Sequence, residues 1–193
     1  MTLSFDLEWN REGIIDVLGL AWNDGRSITA TSRSDETLGQ FLSKLNNAER
    51  LAAHNGIDAD IMQLARNGVD TSMLLPKVFD TRLGFYACNG HLAGSGSFDL
   101  RSVMLLLGSR QSHRFPLEFK QYATDLHRTC ALDAGAVSWA VPLLDSLIAY
   151  HKVEKTVEIL HKCSPIFARM REQGVRLDKR VLEQIHGERK KKT

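Results

Sequence analysis

The chain has little cysteine, almost no net charge and no long apolar run, and the first and last of these shortages each remove a class of protein. Its three cysteines, Cys88, Cys130 and Cys163, are odd in number and show no CxxC spacing. That pattern argues against a disulfide framework and against a zinc cluster; free, buried or half-buried thiols in a reducing compartment are expected instead. No apolar run reaches the length of a bilayer span. The first strand begins almost at Met1, which leaves no room for a signal peptide. The expectation is a cytoplasmic protein with no membrane partner. A net charge of +2 speaks neither for nor against nucleic acid, because an acidic catalytic face can offset basic binding residues elsewhere. Neither an internal repeat nor a low-complexity segment precedes the basic end Glu188-Arg189-Lys190-Lys191-Lys192-Thr193. Such an end reads first as a solvated terminus, with contact to nucleic acid or membrane as the alternative.

What remains is an ordinary globular composition, 43% hydrophobic and 25% charged, in a chain long enough for one substantial domain and an appendage. The first third reads as a three-stranded meander: SFDLEW, then residues 14–22, then, after Asn23-Asp24-Gly25, the β-prone stretch from Ser27 to Thr31. Leu38, Phe41, Leu42 and Leu45 recur at helical spacing behind the capping candidates Ser34 and Asp35. Leu51 to His54 reads as a short buried strand ending at the Asn55-Gly56 turn. A helix follows, with Ile61, Leu64 and Ala65 on one face and Gly68 as its stop. Residues 77–80 form another short strand, with Asp80 or Thr81 capping the next helix. Residues 89–97 are glycine-rich and read as loop, and Leu100, Val103, Met104 and Leu107 form a helical stripe. Residues 109–123, with Pro116, read as an exposed excursion, and the pattern is helical again from Leu126 to Tyr150. Strands followed by alternating strand and helix indicate an α/β class. The character changes near Val153: residues 1–152 read as one domain and 153–193 as a helical extension. In that extension Val157, Leu160, Ile166, Phe167 and Met170 suit an amphipathic helix that stops at Gly174, with a short second helix beyond it.

Four acids carry the chemistry. Strand side chains alternate between faces, so Asp6 and Glu8 project from one face of the first strand while Phe5, Leu7 and Trp9 share the other and can be buried. Adjacent carboxylates repel, and such a pair needs a cation, a shared proton or full solvation. With Asp60 and Asp133 arriving from other segments, a divalent-metal site is the natural reading.

These motifs resemble a known family. FDLEW, then Asp60 followed by Leu64, Gly68 and Val69, then Val78-Phe79-Asp80-Thr81, then ALDAGAV around Asp133, resemble the DEDD (DnaQ-like, ribonuclease H-like) 3′–5′ exonucleases, most of all the proofreading domain of family A DNA polymerases. Residues 165–178, PIFARMREQGVRLD, resemble the stretch that joins that exonuclease to its polymerase domain. The resemblance covers essentially the whole chain in the right order. It implies a five-stranded mixed sheet with helices on both faces and a two-metal site at the strand ends, bearing magnesium or manganese. It further implies hydrolysis of phosphodiester bonds at single-stranded 3′ ends of DNA, releasing nucleoside monophosphates, with a polymerase domain or subunit as partner. Two divalent ions about 3.5–4 Å apart can supply a hydroxide and stabilise the leaving oxygen, and both metals favour oxygen ligands. On this assignment Asp6 bridges both ions, Glu8 and Asp133 hold the nucleophile-side ion, and Asp60 supports the second through water. An exoribonuclease of the same superfamily, or an exonuclease-fold module that binds or guides DNA with little activity, are the alternatives.

Two departures stand out. Asp60 keeps the family distance to the residues after it, yet lies one residue further than usual from Asn55; Asp58 competes for the role and reads instead as a helix cap. The tyrosine or histidine that orients water in relatives, four or five residues before the last aspartate, is replaced here by Thr129 and Arg128. His127 and Tyr122 are the other candidates for that task. Leu7, Trp9, Asn55 and Phe85 are candidate substrate contacts, with core packing as the plain reading for Leu7 and Trp9. His54 reads as a strand-end residue making local hydrogen bonds. Phe85 or Tyr86 could stack on bases, and Arg82, Arg101, Arg114 and Lys120 could meet phosphates.

Overall fold

A strand carrying the first two acids runs through the middle of the sheet. The computed structural model describes residues 1–23, 26–31, 34–92, 98–109 and 125–174. Strands β1 (Thr2–Trp9), β2 (Ile15–Trp22), β3 (Ser27–Thr31), β4 (Arg50–Ala53) and β5 (Val78–Asp80) form one sheet in the order β3-β2-β1-β4-β5. The first three make the antiparallel meander; β4 and β5 run parallel to β1. Parallel pairing needs a crossover, and helices provide it: α1 (Asp35–Asn47) before β4, and α2 (Met62–Arg66) before β5. Ser34 caps α1 by accepting from Thr37 N at 3.2 Å, one of the N–H groups the first turn leaves unpaired.

The alternation along β1 sorts side chains as the sequence requires. Leu3, Phe5 and Leu7 join Leu18, Leu20 and Leu51 in a core covered by Phe41 and Leu45 of α1, the turn residues Ile57 and Ile61, and Leu64 of α2. The other face is covered by α3 (Thr81–Asn89), α4 (Leu100–Leu106) and α5 (Leu126–His151), through Phe85, Val103, Met104, Val137, Ala140 and Leu144. Each such aliphatic or aromatic side chain contributes about 1.5–3 kcal/mol when fully buried. The class is α/β, a mixed sheet with helices on both faces.

Several local expectations change. Trp9 is 40% exposed rather than buried, because the β1–β2 register shifts between Glu8 and Trp9 and turns its ring away from the core. Ile61 just before α2, and Gln63 and Leu64 within it, face inward, while Ala65 is exposed. Gln63 can be buried because its amide donates to the carbonyl of Gly13 in the β1–β2 turn, and a buried amide needs such a partner. Part of the expected loop at residues 89–97 is a short 3-10 helix, Gly90–Leu92. By length and composition α5 is apolar enough to cross a membrane, contrary to the expectation that no apolar run reaches that length. Here it packs across β1, β2 and β3 and against α3.

The last described helix, α6 (Glu154–Gln173), ends at Gly174 with φ of 63°. Its buried stripe is not the apolar one. Val157, Ser164 and Ala168 face inward, whereas Ile166, Phe167 and Met170 are exposed. Polar docking decides the rotation: His161 Nε2 accepts the N–H of Asp80 on β5 at 2.7 Å, and its ring stacks on Phe79 at 5.5 Å between centroids. That bond also satisfies a donor on an edge strand. The expected second C-terminal helix, the basic end and most of the excursion with Pro116 lie outside the described residues.

Candidate metal centre

Asp6 and Glu8 leave β1 on the face that α5 covers, and Asp133 comes down from α5. One carboxylate oxygen from each of the three lies within 4.8 Å of the others. The depth of that meeting is set by Gly19, the residue paired with Asp6 across the β1–β2 ladder. A Cβ on Gly19 would stand 2.7 Å from Cys130 Sγ and 2.9 Å from the Cys130 carbonyl oxygen. Only a residue without a side chain admits the helix so close. Cys130 then donates its thiol to the Asp6 carbonyl at 3.2 Å. Asp133, three residues on, lies one turn along the same side of α5, beside the Asp6 carboxylate.

Asp60 arrives from a different construction. The chain leaves β4 through Asn55, in the left-handed region with φ of 59°, and Gly56, where a Cβ would come within 2.2 Å of Ala53 Cβ. Residues Ile57–Ile61 then form a π turn, closed by Ile61 N donating to the Gly56 carbonyl at 2.8 Å. A π turn holds one residue more than an α turn. Within this turn Asp60 faces β1. There its Oδ1 accepts the N–H of Leu7 at 2.9 Å. Pairing between β1 and β4 extends only to Ser4 and Ala52, and Asp60 takes up an N–H beyond the end of that ladder. Asp60 stands beside the three-acid cluster rather than within it.

The electrostatics say what the cluster lacks. Burial, followed by the charges of Asp60, Asp133 and Glu8, holds the Asp6 carboxyl well above its ordinary range. Burial pushes Asp60 up to about 8 despite the opposing Leu7 N–H, and burial with the Glu8 charge pushes Asp133 up to about 7. Glu8 is raised by burial as well. Among the described residues none of the four has an ion-pair partner. Asp6 Oδ2 is buried and accepts no hydrogen bond, which costs about 1–3 kcal/mol or more for a charged group. All-oxygen donors, converging negative charge and an orphaned buried carboxylate oxygen fit a hard divalent cation such as magnesium or manganese.

The remaining candidates divide. Thr129 is one turn before Asp133 on α5, but its hydroxyl donates to the Asp125 carbonyl at 3.2 Å. His127 is not at the site. Its Nδ1 pairs with Thr29 Oγ1 at 3.2 Å, and Thr29 lies opposite Gly19, itself opposite Asp6. Two strand spacings, about 10 Å, separate it from the Asp6 backbone. Tyr122, Arg114 and Lys120 lie outside the described residues. Leu7 brings its N–H, while its side chain is core; exposed Trp9 and half-buried Asn55 remain accessible. Phe85 does not: it is 2% exposed and packs edge-on against Phe98, so no base can stack on it. Exposed Tyr86 is the accessible ring of that helix. Asn55 Oδ1 accepts from Arg82 Nη1 at 2.8 Å, which orients an exposed guanidinium at the strand ends. His54 bridges Thr81 Oγ1 at 3.0 Å and the Phe98 carbonyl at 2.9 Å, and burial lowers it to about 4; it is a neutral structural tie.

Asp58 is no helix cap. Its carboxylate turns outward to α6, accepting from Ser164 Oγ at 3.0 Å and pairing with Arg171 at 3.2 Å. Sequence reasoning also missed Gly19 and Cys130. A glycine and a cysteine facing each other from distant segments leave no periodic signal; only the packing shows why both are needed. No protein-family model matches this chain, and no curated protein matches it.

Proposed function

We propose that this chain is a metal-dependent 3′–5′ exonuclease of the DEDD type acting on single-stranded DNA ends. The observation that carries the reading is the convergence of Asp6, Glu8 and Asp133 oxygens within 4.8 Å around a buried carboxylate oxygen with no partner. A mixed sheet covered by helices on both faces, with acids at the ends of its strands, fits the ribonuclease H-like architecture that the sequence motifs resemble.

In this reading Asp6, Glu8 and Asp133 would hold one divalent ion, and Asp60 would support a second. Such ions, when bound, would supply a hydroxide nucleophile at neutral pH and stabilise charge on the leaving oxygen. The chain's own residues do the rest. Asp60 spans the site and the Leu7 N–H, fixing the turn against β1. Arg82, braced by Asn55, offers a guanidinium to a phosphate entering along the strand ends. Trp9 presents an apolar face at the rim, suited to a terminal base.

Thr129 favours a slow enzyme. Its hydroxyl is directed into its own helix, and it cannot reach as far as the phenol that orients water in relatives. An orienting group contributes about 10²–10⁴-fold to rate, so turnover is set by the metals and the cleft. The test is digestion of an end-labelled DNA with a 3′ overhang, in magnesium or manganese and in EDTA, beside an RNA of the same sequence. Stepwise metal-dependent shortening, lost in Asp6→Ala, is expected. An intact substrate in both metals would leave a DNA-binding module as the better reading, and faster RNA trimming would change the substrate class.

A further inference from the structure

Asp58 and Asp60 sit on opposite sides of one π turn. Asp60 is pinned to β1 through Leu7 N. Asp58 is pinned to α6, where Ser164, itself buried, donates at 3.0 Å and Arg171 pairs at 3.2 Å. The same turn is gripped from below by Asp80, whose carboxylate accepts from Asn55 N at 3.0 Å and Ile57 N at 3.2 Å. Asp80 in turn gives its backbone N–H to His161 of α6 at 2.7 Å. Helix α6 therefore reaches the π turn twice, directly through Asp58 and indirectly through His161 and Asp80.

The arrangement is costly unless it serves the turn. A π turn is rarer and less regular than an α turn, and it would relax toward α geometry if nothing held it. That relaxation would rotate Asp60 away from β1, because the extra residue would have to be placed elsewhere. On α6, Ser164 and His161 face inward to bond Asp58 and the Asp80 N–H, while Ile166, Phe167 and Met170 stay exposed.

We infer that α6 is a structural part of the metal centre: Asp58, Ser164 and Arg171 are positioning residues that hold the π turn so that Asp60 can support a divalent ion. The inference rests on the metal-binding reading above. Partners that orient metal ligands typically contribute 10–100-fold to affinity, and a loss of about tenfold is expected here. The experiment titrates manganese into the full chain and follows free ion by electron paramagnetic resonance, for the parent, Ser164→Ala, Ser164→Thr, Arg171→Ala and Asp58→Ala. Melting temperatures are measured in EDTA alongside.

A weakening of manganese binding in Ser164→Ala and Asp58→Ala, restored in Ser164→Thr, supports the inference when the EDTA-state melting temperature stays near that of the parent. Arg171→Ala changes an exposed side chain and keeps the fold; its smaller loss of affinity completes the series. If the parent binds manganese and every variant binds it equally, α6 has no part in the site and the inference fails while the metal reading stands. If the parent binds none, both fail. Weaker binding that Ser164→Thr does not restore, or that follows the EDTA-state melting temperature across the series, assigns the effect to general destabilisation and overturns the positioning role.

Discussion

Without a metal, the acid cluster should make this protein less stable as pH rises, the opposite of the behaviour of paired surface carboxylates. A carboxyl whose proton affinity is raised by folding leaves its stability contribution intact at low pH and loses it as pH climbs through the folded value. Asp60 is pushed up to about 8 from an ordinary 3.8. Between those values the unfolded chain has already released its proton and the folded one has not. Each pH step in that window costs about 1.4 kcal/mol, so from pH 5 to 8 Asp60 alone removes about 4 kcal/mol. Asp133, pushed to about 7, acts in the same direction but, being less deeply buried than Asp60, more weakly. In a chain of this size 1 kcal/mol moves the melting temperature by about 2–4 °C, which gives a fall of roughly 8–16 °C across the window. Millimolar manganese, if at a hundredfold excess over its Kd, returns about 2.7 kcal/mol per ion and should flatten the profile near pH 8. The assay is thermal unfolding at pH 5, 6, 7 and 8 in EDTA and in manganese, for the parent and Asp60→Asn, whose profile in EDTA should be shallower. A melting temperature in EDTA that is flat or rises from pH 5 to 8 refutes the reasoning, because the acids would then be ionised without penalty.

Gly19→Ala should destabilise the fold by about 1–3 kcal/mol through overpacking and should also weaken manganese binding, since the added Cβ meets the Cys130 backbone and lifts Asp133 away from Asp6; unchanged affinity by titration would show that α5 can yield. Phe85→Ala should cost about 3–5 kcal/mol in chemical denaturation, as expected for core rather than stacking, and a variant of parental stability with weaker DNA binding would reverse that assignment. Thr129→Tyr should raise turnover on labelled DNA without altering manganese affinity, and a rate below that of the parent would mean the phenol cannot enter from this helix position.

How far the sequence alone reaches is clearest at β1. Alternation put Asp6 and Glu8 on one face and Phe5 and Leu7 on the other, because a strand's period is a property of its backbone and needs no neighbours. Capping was legible for the same reason, since a helix end must satisfy its own N–H groups within a few residues: Ser34 caps α1, and of Asp80 and Thr81 it is Asp80 that caps α3, accepting from Arg82 N and Leu83 N. The preference for Asp60 over Asp58 rested on the residue distances of the family that the motifs resemble, whereas the π turn that carries both acids was not legible, since it is held by what grips it from β1, β5 and α6. Trp9 and Phe85 exchanged their expected environments: the register shift after Glu8 leaves Trp9 exposed, and Phe85 is buried against Phe98, both decided by partners distant in sequence. The stripe of α6 was misjudged because periodicity counts apolar residues, whereas His161 and Ser164 dock by hydrogen bonds that no periodicity records. The acids themselves were written in the chain; the distance between them was decided by tertiary structure, where the missing side chain of Gly19 lets Cys130 touch β1 and so brings Asp133 within reach of Asp6.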